Sequence, residues 1–421
     1  MSEKILVLNF GGRYNQSIAR TIRENNVYSE VHPYNLSREK ILAFSPRGII
    51  MCNGEGYDKL PDYQNTVNDI LTLGLPTMGT DFSDYSTAAG KEKIKSFLFS
   101  GCRLSGDWTM ERYAAESIEA LKGTIGDQKV LLALSGGVDS SACAALLSRA
   151  AGENLTCIFV DHGFMRKNEP EEVEQAFAGS QMRFIRVDAR QRFLDKVAGV
   201  SDPEEKRKII GAEFITVFEE EAKKIGAVDF FAQGPIYPDI LESGLDGYQL
   251  VKSHHNVGGM PEHVDFKEII EPLRLLFKDE VRKLGRALGL PETIASRQPF
   301  PGPGLAVRVI GEITKEKLDM LRDADLIFRK TLEESNTVHP EQYFAILTPM
   351  RSTGVRDGAR TFEYTLALRA IATTDFTVAD WVRVPYDVLD KASRQILSEV
   401  KGINRIVYDI TSKPPGTIEW E

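Results

Sequence analysis

The chain has 421 residues, 42% hydrophobic and 27% charged, with a formal net charge of −9. That length allows two or three domains with sizeable cores, and the composition is that of an ordinary globular protein. The negative charge speaks against a general nucleic-acid binder, and no apolar run approaches the ~20 residues that cross a bilayer.

The opening MSEKILVLNF lacks the layout of a secretory signal, so a cytoplasmic setting is expected. Cys52, Cys102, Cys143 and Cys157 have neither metal nor redox spacing and read as reduced thiols. In chain order, KILVLNF (4–10) predicts a buried strand, 14–25 a helix, RGIIMC (47–52) a second strand and LPTM (75–78) a short third. Residues 106–128 read mainly as an amphipathic helix leading into a new unit.

From 129 the plan repeats. KVLLAL (129–134) is a strand, followed by a glycine loop and an Ala/Leu-rich helix. LTCIFVDHG (155–163), FIRVDA (184–189) and VDFFAQG (228–234) are further strands ending in polar residues. Strands alternating with helices imply a parallel, doubly wound sheet, which binds ligands at the carboxyl ends of its strands. SRQPFPGPGL (296–305) reads as a linker or a shaped loop. Two helical stretches, an apolar strand at 343–350, a helix around 376–400 and a strand at 405–410 then suggest a third, α+β domain.

SGGVDSS (135–141) stands where a strand turns into a helix. Glycines let backbone N–H groups approach an anion, and the helix N-terminus adds about half a positive charge. Ser135, Ser140 and Ser141 add hydroxyl donors, which suits phosphate or pyrophosphate. Asp139 would repel phosphate directly, so Mg²⁺ between the two is the natural expectation. GxxxxGK[ST] is absent, so this is not a Walker A loop. A plain βα turn with a capping serine would look similar.

Asp161, His162, Arg166 and Lys167 follow the second strand of this unit, where a nucleoside would lie. Lys206, Arg207 and Lys208 form a cationic run, each of them as readily part of a solvated helix face. VKSHHNVGGMP (251–261) is glycine-rich and cationic, as a lid would be. The His254–His255 pair has no further ligand near it in sequence and does not read as a metal site.

SGGVDSS, VDHGFMRKNE, QGPIYPD, KSHHNVGG, RQPFPGPGLAVRV and YDITSKPPGTIEWE occur in this order. Together they resemble glutamine-hydrolysing GMP synthases, of the N-type ATP pyrophosphatase superfamily, densely from about residue 92 to 421. The resemblance implies that ATP adenylylates the C2 oxygen of xanthosine 5′-monophosphate (XMP) with release of pyrophosphate. Ammonia then displaces AMP to give GMP. Carried over by motif, Ser135, Gly136, Gly137, Val138, Asp139, Ser140, Ser141, Val160, Gln233 and Gly234 would bind ATP, with Asp139 on Mg²⁺. Lys252 would neutralise charge as pyrophosphate leaves. Arg207, Gly302, Pro303, Gly304, Gln342, Lys413, Ile418 and Glu419 would form the XMP pocket.

ILVLNFGGRYNQSIAR resembles the opening of a class I glutaminase domain. That domain needs a cysteine nucleophile on an elbow of pattern G-x-C-x-G and a later H-x-E. Here Gly79-Thr80-Asp81-Phe82-Ser83 stands at the elbow, with Asp81 in the cysteine position, and no H-x-E follows. The next recognisable family segment starts at 93.

The resemblance therefore implies an α/β fold in three parts. These are a degenerate, shortened glutaminase-like domain (1–105), an ATP pyrophosphatase domain (106–303) and a C-terminal α+β dimerisation and XMP-binding domain (304–421). A homodimer using ATP, Mg²⁺, XMP and free ammonia is expected, with room for a separate glutaminase. Two other readings stay open: a diverged relative that activates another purine nucleotide or uses another amine, and a non-catalytic regulatory protein.

Overall fold

The computed structural model describes residues 3–12, 14–80, 87–242, 266–373 and 378–421. The elements run β1 (Lys4–Phe10), α1 (Asn15–Glu24), β2 (Tyr28–Pro33), α2 (Arg38–Phe44), β3 (Gly48–Asn53), α3 (Tyr63–Leu71), β4 (Thr77–Thr80), α4 (Ala88–Ser96) and α5 (Met110–Ile125). Next come β5 (Val130–Leu134), α6 (Val138–Ala151), β6 (Leu155–Asp161), α7 (Glu169–Ala176), β7 (Arg183–Asp188), α8 (Arg190–Lys196), α9 (Pro203–Ile225), β8 (Phe230–Ala232), α10 (Tyr237–Glu242), β9 (Glu268–Ile270), α11 (Lys278–Ala287) and α12 (Glu292–Ala295). The last are α13 (Lys315–Ser335), β10 (Gln342–Arg356), β11 (Ala359–Thr373), β12 (Ala379–Trp381), α14 (Tyr386–Glu399) and β13 (Ile403–Tyr408).

Two compact units result. The first comprises Met1–Glu119, Pro235–Leu250 and Arg274–Ala287; the second comprises Ala120–Gly234, Val251–Leu273 and Leu288–Glu421.

The first unit has a parallel sheet ordered β2-β1-β3-β4. Alternation along β1 builds a core on each face. Ile5 and Val7 pack with Ile18, Ile22 and Ile94, while Leu6, Leu8 and Phe10 pack with Ile41 and Ile70. The two later segments complete the unit around Arg23, which is 4% exposed. Its guanidinium lies over the rings of Tyr28 (4.2 Å) and Trp108 (5.0 Å) and bonds Glu280 at 2.9 Å. Glu280 also accepts from Trp108 Nε1 at 2.5 Å and from Phe277 N at 2.8 Å. The Tyr237 hydroxyl accepts from Val31 N at 2.6 Å.

The second unit has a five-stranded parallel sheet ordered β7-β6-β5-β8-β9. The chain winds outward from β5 in both directions, so its direction reverses between β5 and β8. Ligands of such sheets bind at that switch point, outside the carboxyl ends of the strands. A second sheet has β10 and β12 antiparallel to β11 and β13 parallel to it. α13 and α14 pack on this sheet through Leu321, Phe328, Val388 and Ile396.

Several sequence expectations shift. The stretch at 296–305 is a shaped loop rather than a linker: Pro303 and Gly304 are buried, and Leu305 N bonds Phe164 O at 2.7 Å. One long helix, α13, replaces the two helical stretches, and the helix expected from 376 starts at Tyr386 after β12. Four strands, β2, β9, β11 and β12, lie outside the sequence expectations.

Candidate functional site

The phosphate-loop candidate closes β5 and opens α6. Gly136 has φ +80°, and a Cβ there would come within 2.9 Å of Val173 Cγ2, so both backbone and packing require glycine. Gly137 caps α6 without a side-chain bond of its own. The hydroxyls of Ser135 and Ser140 lie 2.9 Å apart, and Ser140 Oγ donates to Gly137 O at 3.2 Å. Asp139 lies in the first turn of α6. Ser141 is fully buried, and its hydroxyl has no partner among the described residues. Val138 and Val160 are buried core side chains, so only their backbone could serve a ligand.

Neighbouring loops converge here. A Cβ on Gly234, just past β8, would stand 3.5 Å from the Asp139 backbone. Cys143 Sγ reaches Gln233 O at 3.6 Å. A Cβ on Gly304 would fall 2.3 Å from Phe164 O and 3.2 Å from His162 Cε1, so the proline-rich loop sits directly on the turn after β6. Arg297, which opens that loop, donates to Gly136 O at 2.9 Å.

Of the XMP-pocket candidates, Arg207, Ile418 and Glu419 are engaged at the C-terminal tail, while Gly302, Pro303 and Gly304 belong to the proline-rich loop. Arg207 Nη2 donates to Glu421 O at 2.6 Å. Glu419 accepts two bonds from Arg308, at 2.8 and 3.0 Å. Ile418 packs beside Phe344 and Ile346, and Gln342 opens β10. Gly302 is exposed at the loop surface. Lys413 pairs its backbone with Ala379 beside β12.

Sequence reasoning missed the residues that hold this tail. Lys206, grouped with a charge run, is fully buried, with its ammonium on Glu421 Oε2, Val309 O and Ala306 O. Burial lowers its pKa although Glu421 opposes this. Arg308 is fully buried against the Phe344 ring at 3.8 Å. Arg369, 1% exposed in β11, bonds Asp409 and the carbonyls of Thr411, Thr417 and Ile418. Arg308 and Arg369 are each a cation in an apolar stretch, a signal the sequence carried; Lys206, inside its charge run, carried none.

The polar residues after β6 have structural partners. Asp161 pairs with Arg186 at 2.9 Å and Lys167 with Asp323 at 2.5 Å. His162 is buried, and burial lowers its pKa to about 4, so it is neutral and accepts from Phe164 N through Nδ1. Arg166 stacks on Phe300 at 4.1 Å, and burial brings its pKa down to about 10. Asp325 is raised by burial, but the guanidiniums of Arg329, Arg166 and Arg308 hold it below the usual carboxylate range.

ATP phosphates fit the glycine loop: it offers a helix N-terminus, close backbone and clustered hydroxyls. Among the described residues no cluster of three His, Cys, Asp or Glu could cage a metal. Asp139 stands in the first turn of α6, where one carboxylate beside the phosphates of a bound nucleotide would fit Mg²⁺. Asp81, Lys252 and the His254–His255 lid lie outside the described residues.

The family model for the GMP synthase C-terminal domain matches residues 330–420, and that for class I glutamine amidotransferases matches 6–80. A GMP synthase [glutamine-hydrolyzing] of Finegoldia magna is 48% identical over 505 residues, covering 99% of both chains. Proteins of that name from Treponema denticola and Acetivibrio thermocellus are each 48% identical over 509 residues, covering 100% of this chain and 97% and 100% of theirs. The chain belongs to the GMP synthase family. It is an enzyme of the ligase class. Among solved structures, an NMN synthetase from Francisella tularensis is 15% identical with a TM-score of 0.36, covering 52% of this chain and 87% of its own. An NH3-dependent NAD synthetase from Campylobacter jejuni is 17% identical with a TM-score of 0.34, covering 55% and 89%.

Proposed function

We propose that this family member converts XMP to GMP with ATP and free ammonia rather than glutamine. The observation that carries the reaction class is the SGGVDSS loop at the switch point of the β7-β6-β5-β8-β9 sheet, in a chain so similar to GMP synthases throughout. The C2 oxygen of XMP attacks the α-phosphorus of ATP, and the bond to pyrophosphate breaks. Adenylylation turns a poor leaving oxygen into a good one. Ammonia adds at C2, AMP departs with that oxygen, and a proton is lost. The glycine-loop N–H groups and the Ser135, Ser140 and Ser141 hydroxyls would hold the phosphates, and Lys252 would meet the charge on departing pyrophosphate. Magnesium, bound through Asp139, would offset phosphate charge.

Three observations support ammonia as the donor. Asp81 stands at the position of the glutaminase nucleophile, and a carboxylate cannot replace a thiolate there. The amidotransferase match stops at residue 80, and relatives align over 505 or more positions although this chain has 421 residues. Burial pushes the Cys52 and Cys102 thiols up to about 11, so neither is a thiolate at neutral pH. We also read the enzyme as a cytoplasmic homodimer, joined through the domain after residue 304.

A product assay tests the proposal. With ATP, XMP and ammonium at alkaline pH we expect GMP, AMP and pyrophosphate; with glutamine alone we expect none. Asp139→Ala should lower turnover at least about a hundredfold with the fold retained. ADP as the nucleotide product would exclude this chemistry, and glutamate release matching GMP formation would exclude the ammonia-only reading.

A further inference from the structure

Arg297 joins two loops to which different substrates are assigned. It follows α12 and opens the proline-rich loop. Its Nη1 donates to Gly136 O at 2.9 Å and to Glu169 Oε1 at 3.1 Å, and its Nη2 donates to Glu172 Oε2 at 2.7 Å. The side chain is only 8% exposed. Two carboxylates already balance its charge, which suits a strut better than a phosphate ligand.

Both ends of the strut are anchored. On the loop side, Arg297 N bonds Ile294 O at 3.1 Å. The next side chain, Gln298, pairs with the Tyr343 backbone as a strand would: it accepts from Tyr343 N at 2.8 Å and donates to Tyr343 O at 3.0 Å. On the phosphate side, Glu169 is 5% exposed and its other oxygen accepts from Arg166 N at 3.0 Å. The peptide between Gly136 and Gly137 is trans, so its C=O and N–H point in opposite directions. Holding Gly136 O toward Arg297 therefore turns the Gly137 N–H away from it, to the Ser135 hydroxyl of the phosphate loop at 3.4 Å.

We propose that Arg297 is a positioning residue that sets the Gly136–Gly137 peptide and couples the proline-rich loop to the phosphate loop, so that XMP and ATP bind cooperatively. This rests on the XMP reading above. A displacement of the proline-rich loop by XMP moves the guanidinium, and the guanidinium carries Gly136 with it. Coupling of this kind is reciprocal: each ligand tightens the other by the same factor.

The test is a calorimetric cycle on the full chain: binding of an α,β-methylene ATP analogue with Mg²⁺, with and without saturating XMP. In the unsubstituted enzyme XMP should tighten the analogue about fivefold or more. Arg297→Met should bring that ratio to about one and weaken the analogue alone, whose phosphates meet the released Gly136–Gly137 peptide, while XMP alone binds within about threefold of its original affinity. Arg297→Lys, which keeps the charge but not the forked reach to Gly136, Glu169 and Glu172, should fall between. A merely structural role would weaken both single-ligand affinities and leave any surviving ratio unchanged. An unchanged ratio in both variants overturns the proposal, as does a ratio of one in an unsubstituted enzyme that aminates XMP. An enzyme that neither binds nor aminates XMP overturns the substrate reading instead.

Discussion

His162 shows how a residue that looks chemical can be structural. It follows β6 among polar neighbours, yet it is buried beside Phe164 and Phe193. Its folded pKa of about 4 lies below the ordinary value of 6.5, so between those pH values the unfolded chain binds the extra proton. Stability is therefore full above about pH 6.5 and declines as pH falls toward 4, by about 3 kcal/mol from this residue. Urea unfolding of the enzyme and of His162→Gln across pH 4.5–7.5 should show a shallower acid decline in the variant; parallel profiles would count against this. The glycine loop was legible because its composition is its mechanism: backbone approach and a helix terminus need glycine and serine at set positions. Lys206, Arg308 and Arg297 were not legible as site residues. Their partners are backbone carbonyls, or carboxylates more than a hundred positions away, and no local pattern records either.

Elements were readable where one face decided their sequence. β1, β3, β5 and β6 announce themselves as apolar runs because both faces of a parallel sheet are covered. β2 lies at the sheet edge and alternates polar Glu30 and His32 with Val31, which hid it. β11 was hidden twice: TLALRAIA has helix-forming composition, and Arg369 sits in its buried half. Pairing on both sides, with β10 and with β12 and β13, overrides that propensity. α11 illustrates the energetic side. Its Glu280 is the counter-charge of Arg23, and removing one partner of a buried pair leaves an uncompensated ion. Glu280→Ala should destabilise the first unit by about 3–5 kcal/mol, and Glu280→Gln by less, since an amide oxygen still accepts from Trp108. Urea titrations followed by tryptophan fluorescence check the order; equal stability of all three proteins would contradict it.

At the scale of the whole molecule, the homodimer proposed above has a candidate surface in the β10–β11 hairpin. The inner half of β10 is buried, but its outer half is largely exposed, and Met350, Val355 and Phe362 are 53%, 76% and 63% exposed. Three exposed apolar side chains on one projecting hairpin suit contact with a second copy. Light scattering at micromolar concentration should give a dimer mass, and Val355→Asp with Phe362→Asp should shift it toward the monomer. A monomer mass for the unsubstituted chain would count against the dimer. The first unit has a different whole-chain consequence. It is assembled from segments separated in sequence, so the order of synthesis matters. Arg23 and its aromatic neighbours Tyr28 and Trp108 leave the ribosome early, but Tyr237, Phe277 and Glu280 come much later. At ~5–20 residues per second, the stretch from Glu119 to Glu280 takes on the order of ten to thirty seconds. Throughout that interval the nascent N-terminal sheet carries a guanidinium made for burial without the carboxylate that neutralises it, and the unit reaches its final form only when most of the chain has been made.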